Sequence, residues 1–150
     1  MFTWNFQYIS KARLAETFSQ LMLNPQKGDI LIRIHTAIHT EKEAVDLARF
    51  IKEQVPAAGI MGISTPEPVS GGRTMHNQCS ISVSQMTQGH VRTRMLLPDI
   101  SGEGIREAFR NGEPRLLLAF FAGSFKEADR FVILVNEELP GVFLAGGLAD

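Results

Sequence analysis

Apolar and polar positions change period several times along this chain, and each change marks an element. Phe2, Trp4, Phe6 and Tyr8 alternate with Thr3, Asn5 and Gln7, the period of two that a half-buried strand shows. Ser10 then supplies an N-cap, and Ala12, Ala15, Phe18, Leu21 and Met22 keep helical spacing through Leu23, where Asn24-Pro25 stops the helix. After the Lys27-Gly28 turn, Ile30–Ile34 reads as a buried strand, Glu41–Val55 as a helix ended by Pro56, and Gly59–Ser64 as a second buried strand. A loop rich in Pro, Gly and Ser runs from Pro66 to Asn77. Cys79, Ile81 and Val83 alternate with Ser80, Ser82 and Ser84, and Val91, Thr93 and Met95 alternate with Arg92 and Arg94. With Gln88-Gly89 between them, these runs predict a hairpin with one solvated face. A short helix over Ser101–Arg110 closed by Asn111-Gly112, a strand over Leu116–Phe121, a helix over Phe125–Leu139 and a strand over Val142–Gly146 complete the pattern.

Shifting the chain against itself by 84 residues exposes an internal repeat. Thr40-Glu41-Lys42-Glu43 falls on Ser124-Phe125-Lys126-Glu127, two capping boxes in which a hydroxyl accepts from the N3 amide and the N3 Glu reaches back to the cap's own amide. Ala44, Leu47, Ala48, Ile51 and Val55 fall on Ala128, Phe131, Val132, Val135 and Leu139, one apolar helix face written twice. Pro56 falls on Pro140 and Gly62 on Gly146, while Leu31–His35 superposes on Arg115–Ala119. A helix between two buried strands implies a parallel pair joined by a right-handed crossover. The expected fold is therefore α/β: two βαβ repeat units plus a β-hairpin, in a mixed sheet with packed helices and forming one domain. The second copy ends without a hairpin of its own, so the expectation is a domain truncated at its C-terminal end, or a sheet completed by a partner subunit.

Composition narrows the function classes. The apolar share of 44% with 21% charged residues is that of a globular chain, and 15 basic against 16 acidic residues leave a net charge of −1. Arg73, Arg92 and Arg94 are the densest basic feature, too sparse for the stripe that nucleic acid or an anionic membrane would require. Cys79 is the single cysteine and reads as a small buried residue, not as a nucleophile. The Met-Phe-Thr-Trp-Asn-Phe start resembles no signal peptide, and no apolar run reaches membrane-spanning length, so the expected location is cytoplasmic.

Several segments together resemble a known family. Gly59-Ile60-Met61-Gly62-Ile63-Ser64-Thr65-Pro66-Glu67 resembles the "IIG-C-S-T-x-G-E" segment of the FIST N-terminal domain, with Ile63 in place of Cys and Pro66 in place of Gly. Leu116–Phe121 is similar to that family's "LLLLF" strand, and Val142–Asp150 to its "PVVGGLAGD" element; Ser10 sits where the family has a serine before its first helix. The resemblance implies a bacterial sensory input domain that binds an amino acid or similar small molecule. Its output would be a kinase or cyclase domain, in the same chain or as a partner. No cofactor is expected, the alternative being a haem-based nitric-oxide sensor.

Open parallel sheets bind ligands beyond the carboxyl ends of their strands, where helix N-termini converge. That rule nominates His35, Thr36, Ser64, Thr65, Gly146 and Gly147 as ligand-binding residues, with Phe121-Ala122 at a further strand end and Thr40 and Ser124 opening the adjacent helices. The segment around Gly146-Gly147 lacks a G-x-G-x-x-G or Walker pattern, so it is no nucleotide loop. His35 and His39 bracket a strand end and a loop, where their spacing does not suit a metal. A haem needs one axial histidine, which His35 or His39 would supply in preference to His76 or His90. Ser64 follows a strand but stands in Gly62-Ile63-Ser64-Thr65-Pro66, which is not a nucleophile elbow, and Glu41, Glu43 and Glu127 read as helix caps. A binding module is thus expected over an α/β hydrolase or transferase, and a homodimer through the open sheet edge is the third reading.

Overall fold

A computed structural model describes residues 1–37, 40–65, 69–70, 73–74, 78–96, 99–110, 112, 114–122 and 125–149. The chain divides into two units, Met1–Thr93 and Arg94–Asp150. It is mixed α/β, as expected from the periodicity.

Unit 1 holds strand β1 (Phe2–Gln7), helix α1 (Lys11–Gln20), strand β2 (Asp29–Thr36), helix α2 (Glu41–Gln54) and strand β3 (Gly59–Ser64). A two-residue antiparallel pair, β4 (Val69–Ser70) and β5 (Arg73–Thr74), and strand β6 (Cys79–Met86) follow. Four of these strands form a sheet in the order β1-β6-β2-β3. Strands β2 and β3 run parallel, pairing Leu31 with Gly59 and Thr36 with Ser64, while β6 is antiparallel to both β1 and β2. One face buries Ile30, Ile32 and Ile34 of β2 with Cys79, Ile81 and Val83 of β6 against Leu14 and Phe18 of α1, Leu47 and Ile51 of α2 and Val55 at the C-cap of α2.

The expected hairpin is replaced by something else. Residues 91–96 form no strand, because both edges of β6 are already taken, by β1 and by β2. The segment after β6 is instead tied to the start of β2, where the Val91 amide donates to the Asp29 carboxylate at 2.7 Å. Nor is β6 solvated on its polar face: Ser80, Ser82 and Ser84 are buried. Burial is tolerable because hydroxyls meet partners across the β1–β6 ladder, Ser82 donating to Asn5 Oδ1 and Ser84 pairing with the Thr3 hydroxyl at 3.0 Å. Helix α1 is also shorter than its sequence spacing suggests. It ends at Gln20, Met22 turns left-handed (φ 48°) and is exposed, and Leu14 is buried in place of Ala12.

Unit 2 holds helix α3 (Gly102–Phe109), strand β7 (Leu116–Ala122), helix α4 (Phe125–Glu138) and strand β8 (Phe143–Ala149). Strands β7 and β8 are a parallel pair, and Ile105 of α3 packs with Phe131, Val135 and Leu139 to form a second core. Arg106 of α3 pairs with Glu138 of α4 at its border.

The repeat is real in structure but contains one slip. Helices α2 and α4, and the starts of β3 and β8, are related by 84 residues. The first strands are related by 85, since Leu31 pairs with Gly59 but Leu116 pairs with Phe143. Ile34 therefore corresponds to Ala119 and Thr36 to Phe121, one residue later than the ungapped shift places them. Because side chains alternate faces along a strand, this slip decides which residues point inward.

Candidate functional site

At the carboxyl ends of the unit 1 strands, register sets Thr36 between Cys79 of β6 and Ser64 of β3. Tyr8 continues the row, its amide donating to the Cys79 carbonyl at 2.8 Å. The row Tyr8, Cys79, Thr36, Ser64 lies on the apolar face of the sheet, which α1 and α2 cover. Each helix starts at this end because it directly follows its strand. Ser10 caps α1 by accepting from the Arg13 amide (3.2 Å), and Thr40 caps α2 by accepting from the Glu43 amide (3.3 Å). The Glu43 carboxylate does not reach the Thr40 amide, as a capping box predicts, but accepts from the Thr40 hydroxyl at 2.6 Å. Both N-termini add partial positive charge at this end.

The row is built for hydrogen bonding and not for nucleophilic attack. Thr36 is buried and hydrogen-bonds the Cys79 thiol. Burial pushes the thiol's pKa up and outweighs that bond, which acts the other way, so the protonated form is favoured. Burial also pushes the Tyr8 phenol up, with Cys79 adding to the effect. Ser64 is exposed, whereas the Thr65 amide is spent on the Thr36 carbonyl at 2.9 Å and is not free for a ligand.

His35 does not join this row. One residue before Thr36 on the same strand, it points to the opposite sheet face, paired in register with Ser80 and Ile63. It is half-buried, and burial followed by the neighbouring Arg33 guanidinium holds its pKa below the ordinary value. Its neighbours are the Ser80 hydroxyl, the buried Ile63 side chain and the Arg33 guanidinium. His39, Ser124 and His76 lie outside the described residues; His90 is exposed and sits 3.4 Å from the Asp29 carboxylate. No group of three or more His, Cys, Asp or Glu side chains gathers among the described residues.

Gly146 and Gly147 belong to unit 2, and their two roles separate there. At Gly146 the backbone has φ +152°, and a Cβ would stand 1.6 Å from the Ala119 carbonyl oxygen, so strand packing demands glycine. At Gly147 a Cβ would meet nothing within 4 Å. Both line a cleft of about 250 Å³ between α4 and the β7–β8 pair, together with Ala119, Phe121, Leu144 and Val132. Its wall is apolar except for Asp129 at the exposed side.

The cleft has a local cause. Ala119 stands at the position that Ile34 fills in unit 1, and the missing side-chain volume is left open. The strand-end rule led sequence reasoning to Gly146 and Gly147 and to Phe121 at the neighbouring strand end, but Ala119, Asp129 and Val132 were not singled out for this site. The available signal was a lone small residue in the bulky run Leu116–Phe121, opposite a glycine.

No helix among the described residues is long and apolar enough to cross a membrane. No curated protein and no solved structure matches the chain. A family model does match, that of the FIST N domain, over residues 31–150, which takes in β2 through β8. The chain thus belongs to the FIST N domain family, whose members are generally sensory domains of signal-transduction proteins.

Proposed function

We propose that this chain senses a small molecule, an amino acid or a compound of similar size, and passes the binding event to an output domain such as a kinase or cyclase. The cleft of unit 2 carries the reading. It lies toward the carboxyl ends of a parallel pair and beside the start of the following helix, where α/β sheets hold ligands. Its volume of about 250 Å³ falls just under the roughly 300–1,000 Å³ of drug-sized sites, which suits a metabolite of few atoms. Apolar contacts from Phe121, Leu144 and Val132 would take an aliphatic or aromatic side chain, and Asp129 would take an amine at the open side. Signalling then requires only that the ligand bind one conformation of the sensor more tightly than another.

Thermal denaturation against a panel of amino acids and their amines is the direct test. A ligand at a hundred times its Kd stabilises by about 2.7 kcal/mol. Ala119→Ile, which restores the side chain found at the same place in unit 1, fills the cleft and removes that stabilisation. If no compound raises the midpoint, or if Ala119→Ile binds as well as the parent, the cleft is not the sensor site.

A further inference from the structure

The sheet face of unit 1 that points away from α1 and α2 is polar in its middle. Arg33 and His35 of β2 lie there, about 7 Å apart by strand rise. Ser82 pairs with Arg33, Ser80 with His35, and Asn5 of β1 pairs with Ser82 on the far side. Ser80 and Ser82 are 3% and 8% exposed. The strand positions that share this face are Thr3, Asn5 and Gln7 of β1, Ser80, Ser82, Ser84 and Met86 of β6, Asp29, Leu31, Arg33 and His35 of β2, and Gly59, Met61 and Ile63 of β3. The one carboxylate among them, Asp29, is four residues from Arg33, about 13 Å by strand rise, and accepts from the Val91 amide. The guanidinium is charged at every physiological pH, and its Nε is buried with no hydrogen-bond partner. A buried charged donor without an acceptor is costly, and native proteins keep such groups where an ion, water or ligand completes them.

We infer that this face is a carboxylate-binding site, with Arg33 as the anchor. Nε and one Nη of a guanidinium present two parallel donors, the match for the two oxygens of one carboxylate. Ser80 and His35 border the same spot and would supply further donors. One positive charge answers one negative charge, which favours a small organic acid, or the carboxylate end of an amino acid, over a phosphate dianion. The site is built from unit 1 residues and the cleft from unit 2 residues, so either can fail without the other. His35 serves as a built-in reporter. Its imidazole is held toward the neutral form by burial and by Arg33, and an anion bound between the two would reverse the second effect.

The experiment is an NMR titration of the His35 imidazole in the whole chain, its resonance assigned with His35→Gln, in sodium acetate and in sodium chloride of equal ionic strength. Acetate is expected to raise the His35 pKa by about one unit relative to chloride. Arg33→Gln is expected to abolish the difference, and Arg33→Lys, which keeps the charge but lacks the fork, to remove most of it. The parent titration needs no variant to fold: identical His35 curves in acetate and chloride overturn the inference. So does an acetate effect that survives Arg33→Gln. A response to inorganic phosphate without one to acetate overturns the carboxylate assignment. An Ala119→Ile chain that keeps the acetate response shows that the two sites are separate.

Discussion

The two strand–helix–strand units of this chain share a helix pattern, a proline and a glycine, yet they end in opposite chemistry. In unit 1 the inward strand-end position is Thr36, buried and bonded to Cys79; in unit 2 the corresponding position is Phe121. One turn of pleat earlier, Ile34 is packed solid in unit 1, and Ala119 leaves a cleft in unit 2. The shared glycine diverges as well. Gly62 has open space where a Cβ would go, while Gly146 lies against the Ala119 carbonyl. A repeat therefore transmits the scaffold and leaves the strand-end side chains free to vary, which is how one supersecondary unit serves packing in one copy and binding in the other.

The widest gap between the copies should appear at those glycines. Gly146→Ala combines a strained backbone with a backbone clash, each worth about 1–3 kcal/mol, and is expected to cost about 4 kcal/mol in denaturant unfolding. Gly62→Ala should change stability by less than about 1 kcal/mol, with a gain expected because glycine is a poor strand residue. Equal costs at the two positions would show that the open space at Gly62 is illusory. Next in size is Ile34→Ala, which carves in unit 1 the space that Ala119 leaves in unit 2. It should cost about 3 kcal/mol, as buried Ile→Ala changes do. The reverse change, Ala119→Ile, should lie within about 1 kcal/mol of the parent, since it fills a space and displaces nothing. A large loss there would mean that the cleft is a packing requirement of unit 2. Smaller again is Thr40→Ala, which removes the cap of α2 and should cost about 1 kcal/mol; Thr40→Ser should restore most of it.

Much of this architecture was legible because the period of apolar residues changes where elements change. Helix α2 and strand β3 begin where their patterns begin, at Glu41 and Gly59. The false strand at Val91–Met95 shows the limit. Its alternation is genuine, but alternation says nothing about whether a pairing edge is vacant, and β6 had none to offer. The polar face of β6 misled for a related reason: serines alternate with apolar residues in solvated and in buried strands alike, and only the partners Asn5 and Thr3 distinguish the cases. At the site, chain direction located the strand ends, but His35 and Thr36 were grouped although neighbours on a strand face opposite ways. The one-residue slip of β7 hid the match of Ala119 with Ile34, and with it the origin of the cleft.

The mildest difference between the units concerns pH. Tyr8, His35 and Cys79 all lie in unit 1 with Trp4, the single tryptophan, so fluorescence reports on the unit that holds these three groups. His35 is held below its ordinary 6.5, by burial first and Arg33 second. As pH falls through 6.5 the unfolded chain takes up this proton before the folded one, so the His35 contribution is complete above 6.5 and is lost on the way down to the folded value. Cys79 acts in the other direction. Its raised pKa contributes in full below the ordinary 9.0, and that contribution fades as pH rises from there toward the folded value; Tyr8 does the same from 10.0. Stability read at Trp4 should therefore be flat between about pH 7 and 9 and decline on both sides. His35→Gln should flatten the acid limb and leave the alkaline limb as it was, while Cys79→Ala should flatten the onset of the alkaline limb alone. An acid limb unchanged in His35→Gln would place its titrating group elsewhere.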